Sequence, residues 1–297
     1  MEQQGELVAL NGLDYFVRDG GGDGAPVVFL HGAPDHGGMW RHQYAAVAEA
    51  GYRAICPDLL GYGRSAASDD VERYRFDLMA ADLSALFRQL ELAPGSVHLV
   101  AHDFGATLGW SLASADPHWF ASYCAMSVGH TNAFFAQLDL EHVRWSWNLF
   151  LNHHPQAVEL FTADDGALFK RVIADHPDAD DVWAHFRADP RRLEPMLDWE
   201  RANHIVELIA AGFSGRLPRE LAPPVTVPTL GIWSDGDSFL WEEQMSGSGE
   251  FVDADWRYER IEDAGHWFML DRPDQTNELL LSWLEANRAK TLSEASA

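Results

Sequence analysis

The feature that most constrains the fold is a regular alternation of buried, strand-like runs with helix-forming stretches. Residues 26–30 (PVVFL) and 97–101 (VHLVA) are continuous apolar runs, as expected of strands that are covered on both faces. A further strand pattern at 53–56 is separated from them by helical stretches at 39–50 and 77–92. Strands and helices that alternate at this spacing predict a parallel sheet with helices on both faces.

A long helical segment interrupts this alternation. Residues 131–224 are rich in Trp, Phe, His and acidic side chains, with helical periodicity and no strand signal. The strand pattern returns at 228–233 and 256–261, before a closing helix at 274–286. The sequence therefore predicts one discontinuous core of residues 1–130 and 225–290, a helical insertion at 131–224 and a disordered tail at 291–297.

The strongly acidic composition excludes several classes of partner. The 297 residues include 46 acidic and 21 basic side chains, which give a net charge of −25. A surface this negative repels phosphate backbones and anionic lipids, so we expect neither a nucleic-acid nor a membrane partner. No run approaches the roughly 18 apolar residues of a membrane span, and the N-terminus MEQQGELVAL has no signal-peptide pattern. These features predict a cytoplasmic protein and leave a homodimer open.

Metal and disulfide chemistry have little support in the sequence. Cys56 and Cys124 lie in apolar, strand-like runs, where a cysteine usually behaves as a small buried hydrophobe. The neighbouring His153 and His154 and the acidic run from Asp178 to Asp181 are weak signals, because adjacent residues on a helix point in different directions. A solvated acidic face is the simpler interpretation, and we expect no metal.

The stretch Val100 to Thr107 (VAHDFGAT) carries the most specific chemical signal. Its small residues permit a sharp turn from a buried strand into a helix, which would project Asp103 above the sheet in the manner of a nucleophile elbow. A carboxylate there can attack an electrophilic carbon and form an ester, with the Phe104 N–H directed at the reacting centre. The alternative is that Asp103 only caps the helix, which is a common role for Asp.

Three other loops supply groups that would complete such a site. The HGAPD loop at 31–35 follows a strand and offers the Ala33 N–H as a second donor to an oxyanion hole. His266 follows the last predicted strand within the sequence AGHW. The loop SDGDS offers two carboxylates, Asp235 and Asp237, as the group that would orient the histidine.

The segments HGAPD, AHDFG, SDGD and AGHW, in this order, resemble the α/β-hydrolase superfamily. The resemblance covers nearly the whole chain and is to the branch of epoxide hydrolases and haloalkane dehalogenases, above all to bacterial epoxide hydrolases. It implies an eight-stranded, mostly parallel sheet with helices on both faces and a helical lid. It also implies an Asp103 nucleophile, a water-activating His266, Asp237 as the matching family acid, and no cofactor.

The two activities of this branch differ in what stabilises the leaving group. Dehalogenases commonly carry Trp after the nucleophile and Asn after the His-Gly pair, where this chain has Phe104 and Ala33. Dehalogenation is therefore disfavoured, although Trp145 or Trp147 in the insertion could donate an indole N–H. A non-catalytic ligand-binding homologue is the other alternative, which the retention of the triad and of both oxyanion loops disfavours.

The chain departs from the epoxide hydrolases in its insertion, where that family typically has two tyrosines. None of its seven tyrosines lies in residues 131–224, and the equivalent segments carry Asn148 and Glu200. We expect a helix around 195–210 in which Glu200 and His204 share a face. If that face is buried, a protonated Glu200 would be the acid and Asn148 a second donor; the alternative is a solvent-facing Glu200.

The insertion is also rich in aromatic residues that are expected to contribute to a pocket. We expect Trp147 and Trp199, with Trp267 from the core, to bind an apolar small-molecule substrate. The predicted function is the opening of a bulky apolar epoxide, such as a polycyclic natural product. It proceeds through an Asp103 alkyl ester that a water molecule activated by His266 then hydrolyses.

Overall fold

The computed structural model describes residues 4–288, and eight strands in this range form one sheet. The predicted tail at 291–297, like the end of the predicted core, lies outside the described residues. The strands are β1 (Glu6–Leu10), β2 (Leu13–Asp19), β3 (Pro26–Leu30), β4 (Arg53–Pro57), β5 (Val97–His102), β6 (Phe120–Met126), β7 (Thr229–Ser234) and β8 (Trp256–Ile261).

The strand order is β1-β2-β4-β3-β5-β6-β7-β8. β2 runs antiparallel to both of its neighbours, whereas β4, β3, β5, β6, β7 and β8 are parallel to one another. Every residue of β3 and β5 is buried, which explains why these two strands appear in the sequence as unbroken apolar runs. The mostly parallel, eight-stranded sheet of the predicted fold class is confirmed.

The helices of the core cover both faces of the sheet. α1 (Arg41–Glu49) packs against α13 (Pro273–Arg288), and α2 (Phe76–Gln89) packs against α3 (Phe104–Ala115). The connection from β3 to β4 and the one from β4 to β5 run in opposite directions along the sheet. Because such crossovers are right-handed, α1 and α2 lie on opposite faces. Two short helices, α11 (Glu242–Ser246) and α12 (Phe268–Asp271), lie in the C-terminal part of the core.

Seven helices and no strand lie between β6 and β7. No helix within residues 4–288 is long and apolar enough to cross a membrane. The seven helices are α4 (Thr131–Ala136), α5 (Leu140–Trp145), α6 (Trp147–Asn152), α7 (Ala157–Val172), α8 (Ala179–Ala188), α9 (Leu193–Ala202) and α10 (Ile205–Phe213). Five short 3-10 turns occur at Gly37–Trp40, Val71–Tyr74, Pro117–Trp119, Pro190–Arg192 and Gly247–Phe251.

The single helix expected around 195–210 is wrong, because the chain breaks between α9 and α10. His204 has a φ of 53° and lies in the left-handed region. Asn203 fixes this break: its side-chain amide donates to the backbone oxygens of Tyr74 and Trp199, and its side-chain oxygen accepts from the Phe76 N–H. A tertiary anchor to the core therefore overrides the helical periodicity.

The sharp turn from β5 into α3 depends on close backbone packing at Gly105. A Cβ atom at this position would lie 2.4 Å from the backbone oxygen of His31 and 2.5 Å from that of Leu30. Neither backbone atom can move aside without shifting β3. We therefore expect Gly105→Ala to lower the free energy of unfolding by about 1–3 kcal/mol, measured by urea denaturation.

Gly247→Ala is the matched control for this change. Gly247 has a helical φ of −70°, and, apart from its chain neighbours and the nearby backbone of its own helix, no atom lies within 4 Å of its ideal Cβ position. We expect this variant to match the parent protein. Equal stability of the Gly105 and Gly247 variants would contradict the assigned role of Gly105.

Candidate active site

The carboxyl ends of parallel strands lie at one edge of the sheet, and Asp103 stands there, between β5 and α3. Its φ of 54° and ψ of −126° are unusual for a residue other than glycine. The side chain makes no capping hydrogen bond to α3, so the alternative role as a helix cap is wrong. A fifth of the side-chain surface is exposed, and the residue lines a cavity.

Two backbone donors predicted from the sequence approach the Asp103 carboxylate. The Ala33 N–H donates to Oδ1 over 2.8 Å, and the Phe104 N–H also stabilises the ionised carboxylate. His31 fixes the loop that carries Ala33, because its Nε2 accepts from the Leu59 N–H over 2.9 Å. Burial lowers the pKa of His31 to about 4, so this ring is neutral and its Nδ1–H is directed at the Gly32 oxygen.

His266 lies between two carboxylates. Its Nδ1 donates to Oδ2 of Asp237 over 2.9 Å, and its Nε2 lies 3.6 Å from Oδ2 of Asp103. The other oxygen of Asp237 accepts from the backbone N–H groups of Phe239 and Leu240. Asp235, the other carboxylate of this loop, instead accepts from the Asp263 N–H. The structure therefore places Asp237, and not Asp235, against the histidine.

Burial and charge together set the protonation states of this group. Burial disfavours the imidazolium form, but the Asp237 and Asp103 carboxylates outweigh it and raise the pKa of His266 to about 10. Burial alone would raise the pKa of Asp103, but the interaction with His266 outweighs that effect and lowers the pKa of this carboxyl. At neutral pH the two side chains therefore form a carboxylate–imidazolium pair.

A cavity of about 460 Å³ opens above Asp103, within the usual size range of small-molecule sites. Most of its lining is apolar and comes from α3, from the loops after β3, β7 and β8, and from the helices between β6 and β7. Of the site residues predicted from the sequence, the lining includes Ala33, Asp103, Phe104, Asn148, Glu200, His266 and Trp267. Residues 4–288 contain no group of three His, Cys, Asp or Glu side chains placed to hold a metal ion.

Comparison with known proteins identifies the family. A family model of the α/β hydrolase fold matches residues 25–273. The chain belongs to the α/β-hydrolase family. An α/β-hydrolase superfamily protein of Bacillus subtilis is 27% identical to this hydrolase over 292 residues, which cover 94% of this chain and 97% of the relative.

Epoxide hydrolases are among its similar proteins. Epoxide hydrolase A of Mycobacterium tuberculosis is 28% identical over 314 residues, which cover 94% of this hydrolase and 96% of the relative. A solved structure of novel epoxide hydrolases from metagenomes of hot environments has a TM-score of 0.84 and 27% identity, and the match covers 96% of this chain and 99% of that chain.

Three residues expected to bind substrate lie outside the cavity of this α/β hydrolase. Trp147 is 43% exposed on α6. Trp199 is fully buried, and its indole N–H donates to the Leu60 oxygen over 3.0 Å, so it supports the wall behind Phe104. His204 is exposed in the left-handed turn between α9 and α10, and it therefore does not share a helix face with Glu200.

Glu200 lines the cavity and is only 2% exposed. Its Oε1 accepts from Nδ2 of Asn152 over 2.8 Å, whereas its Oε2 has no hydrogen-bond partner within the described residues. Burial raises the pKa of Glu200 well above its usual range. Sequence reasoning missed Asn152, although its position four residues after Asn148 on α6 places the two amides on one helix face.

A buried network connects the helical segment between β6 and β7 to the loops of the site. Asp35 accepts from the Trp267 indole N–H over 2.9 Å and lies 3.1 Å from Nε2 of His176. Nδ1 of His176 accepts from the Asp178 N–H, so Nε2 carries the proton and donates to Asp35. The carboxylate thus joins the α7–α8 connection to the Ala33 loop and to the residue that follows His266.

The buried Glu200 carboxyl gives a prediction about stability. A Glu with a raised pKa in the folded protein holds a proton that the unfolded chain releases, so folding becomes less favourable as pH rises towards the folded pKa. We expect Glu200→Gln to be more stable than the parent protein above about pH 5. The gap should widen by up to about 1.4 kcal/mol per pH unit in urea titrations.

The exposed Glu207 on α10 provides the control for this experiment. We expect Glu207→Gln to show no pH-dependent gap from the parent protein. A Glu200→Gln variant whose stability runs parallel to that of the parent at all pH values would mean that Glu200 is ionised in the folded protein.

Proposed function

We propose that this hydrolase opens a bulky, apolar epoxide through a covalent Asp103 ester. The observation that carries the proposal is the pair of carboxyl groups in one cavity, with the pKa of Asp103 lowered and that of Glu200 raised. Environments that separate two pKa values in this way assign an ionised nucleophile and a protonated acid. The names of its epoxide hydrolase relatives support the same reaction.

In the first step, Oδ2 of Asp103 attacks one carbon of the epoxide ring. The carbon–oxygen bond of the ring breaks, and the alkoxide that forms takes the proton of Glu200 at Oε2. Oδ1 does not form the new bond, because the Ala33 N–H already holds it. Asn152 holds the other oxygen of Glu200, which leaves Oε2 without a hydrogen-bond partner among residues 4–288 and free to carry the proton. Asn148 is a second, neutral donor.

In the second step, water attacks the carbonyl carbon of the ester. His266 takes a proton from this water, and the Ala33 and Phe104 N–H groups stabilise the negative charge that develops on Oδ1. The ester bond then breaks, and the leaving alkoxide takes the proton from His266 to complete a vicinal diol. The Asp103 carboxyl that results passes its remaining proton to His266, which restores the carboxylate–imidazolium pair of the free enzyme. Asp237 keeps the imidazole oriented throughout.

Ester formation itself prepares His266 to act as a base. The free enzyme holds an imidazolium because two carboxylates face it, but alkylation removes the charge of Asp103 and so lowers the pKa of the histidine. At the same point Glu200 has lost its proton and is buried, which favours reprotonation. Transfer of one proton from His266 to Glu200 through water makes the histidine a neutral base and returns Glu200 to its protonated form, without net uptake from solvent.

The dehalogenase alternative has less support. Dehalogenases of this branch commonly hold the halide with a tryptophan N–H, and Trp267 is the only tryptophan among residues 4–288 that lines the cavity. Its N–H is already bonded to Asp35. Phe104 and Ala33 have no side-chain donor, whereas a protonated Glu200 suits an alkoxide.

The lid, the kind of substrate and the cellular location are further proposals, and each rests on one observation. The helices between β6 and β7 carry much of the cavity wall, which supports their role as a lid over the site. The aromatic lining supports a bulky apolar substrate such as a polycyclic natural-product epoxide. The net charge of −25 supports a cytoplasmic protein that binds neither nucleic acid nor membranes.

The covalent scheme predicts that His266→Ala accumulates an ester. Attack by an ionised Asp103 needs no base, whereas hydrolysis does, so incubation with p-nitrostyrene oxide should increase the intact mass by one substrate. Mass spectrometry of the protein measures this directly. Asp103→Asn in the same background should remove the adduct, and a His266→Ala protein without adduct would contradict the scheme, provided that the parent enzyme converts the substrate.

The acid role predicts a specific defect in Glu200→Gln, which keeps the shape and loses the proton. General acid catalysis contributes about 10²–10⁴-fold, so we expect a loss of this order in the rate of ester formation, followed by rapid-quench mass spectrometry. The parent rate should fall as pH rises through the raised pKa of Glu200, and the rate of the variant should not. Glu207→Gln should behave as the parent; a Glu200→Gln rate equal to the parent rate would exclude this acid.

A further inference from the structure

The cavity extends well beyond the reacting carboxylate, along one face of α3. Thr107, Ser111 and Ser114 line it, and their spacing of four and three residues places them on a single face of the helix. At a rise of about 1.5 Å per residue, the wall from Thr107 to Ser114 is roughly 10 Å long. We call these three residues the α3 wall.

The two ends of the cavity differ. Phe161, Phe169 and Ile173 line it from α7 and its C-terminal end, and they are 1–3% exposed, so this end is closed and apolar. Beyond the α3 wall, the lining residues Ala115 and Pro223 are exposed. A bound molecule therefore has a buried apolar end and an end directed along α3 towards solvent.

Polar atoms without partners lie along this path. The hydroxyls of Thr107 and Ser111 make no hydrogen bond within residues 4–288, whereas the Ser114 hydroxyl reaches the backbone oxygens of Trp110 and Pro223. At the reacting centre, Oε2 of the buried Glu200 and Oδ1 of the buried Asn152 are also unpartnered. Buried polar atoms in native proteins are normally satisfied, so the unpartnered atoms of Glu200 and Asn152 point to polar groups on the ligand. The Thr107 and Ser111 hydroxyls are half-buried and are available to an oxygen atom of the same ligand.

The charges of the side chains that line the cavity also limit which ligands can bind. No Lys or Arg of the described chain lines the cavity, and the protein as a whole carries a net charge of −25. A carboxylate placed beside the α3 wall would lose water without gaining a cationic partner, which is costly. A neutral oxygen there would gain a hydrogen bond to a hydroxyl that has no protein partner within residues 4–288.

We propose that the α3 wall is a subsite for an uncharged, oxygen-bearing chain of the substrate. The subsite accepts a hydroxyl, ether or carbonyl oxygen beside Thr107 or Ser111 and rejects epoxides that end in a carboxylate. This inference rests on the proposed function, since it assumes that the epoxide carbon lies at Asp103. The closed end beneath α7 then holds the hydrocarbon part of the same substrate.

Three probes with one carbon skeleton test the subsite: 1,2-epoxydecane, 9,10-epoxydecan-1-ol and 9,10-epoxydecanoate. An extended chain advances roughly 1.2 Å per bond, so the terminal oxygen lies about 11 Å from the attacked carbon, level with the α3 wall beyond Thr107. We expect kcat/KM of the alcohol to exceed that of the carboxylate at least about tenfold. Equal values, or a preference for the carboxylate, would overturn the proposal.

Variants then locate the preference on α3. One neutral hydrogen bond contributes roughly a twofold to tenfold effect, so Ser111→Ala should lower the ratio of kcat/KM for the alcohol over 1,2-epoxydecane by this factor. Thr107→Val is the second variant. It tests whether the oxygen of the bound chain lies beside Thr107, closer to the epoxide ring, and should then lower the same ratio. Ser282→Ala, an exposed helix serine remote from the lining residues, should leave the ratio unchanged; an unchanged ratio in both α3 variants would overturn the assignment.

Binding measurements distinguish a failure of the subsite proposal from a failure of the proposed function. Calorimetry of the parent protein with 1-decanol and with decanoate needs no turnover, and we expect the alcohol to bind at least about tenfold more tightly. No hydrolysis of any probe, together with this preference and its loss in Ser111→Ala, would reject the epoxide reaction and retain the subsite. Hydrolysis of all three probes without a preference would retain the epoxide reaction and reject the subsite.

Discussion

The site depends on close backbone packing between the loop after β3 and the turn from β5 into α3. A Cβ at Gly32 would lie 2.3 Å from Oδ1 of Asp103, and one at Gly105 would lie 2.4 Å from the His31 oxygen. This contact is what brings the Ala33 N–H within 2.8 Å of the carboxylate. Asp103 keeps its strained backbone only because β3 and β5, which are fully buried neighbours, hold both sides of the turn.

The charges of the site follow from the same packing. Asp103 is held in a poorly hydrated position, and it remains ionised because His266 lies 3.6 Å away. His266 in turn is stable as an imidazolium because Asp237 is buried against it and receives two backbone N–H groups. Removal of any one charge would change the protonation of the others, which is how formation of an ester can convert the histidine into a base.

Local sequence patterns could predict the strands and the groups at their ends, since both depend on short stretches of chain. The runs of β3 and β5 are apolar because both faces are covered. Asp103 follows β5 directly, and Asp237 and His266 lie in the short loops after β7 and β8. The positions of Trp199 and His204 could not be predicted in this way. They depend on Asn203, whose bonds to Tyr74 and Phe76 break a periodic helix, and periodicity contains no information about such distant contacts.

A carboxyl group at Glu200 imposes a constraint that a tyrosine would not. A phenol stays protonated at neutral pH without help, whereas a carboxylic acid keeps its proton only while the site excludes water and further charge. Asn152 satisfies one oxygen of Glu200, and the other oxygen is buried without a hydrogen-bond partner in the described chain. Any substrate that brought a cation would favour ionisation of Glu200 and remove the acid. A second anion in the cavity would raise the pKa of Glu200 further, but His266, the only cationic side chain among the described lining residues, is already paired with Asp103 and Asp237. The chemistry of this acid therefore requires the neutral ligand that the polar groups along α3 are placed to bind.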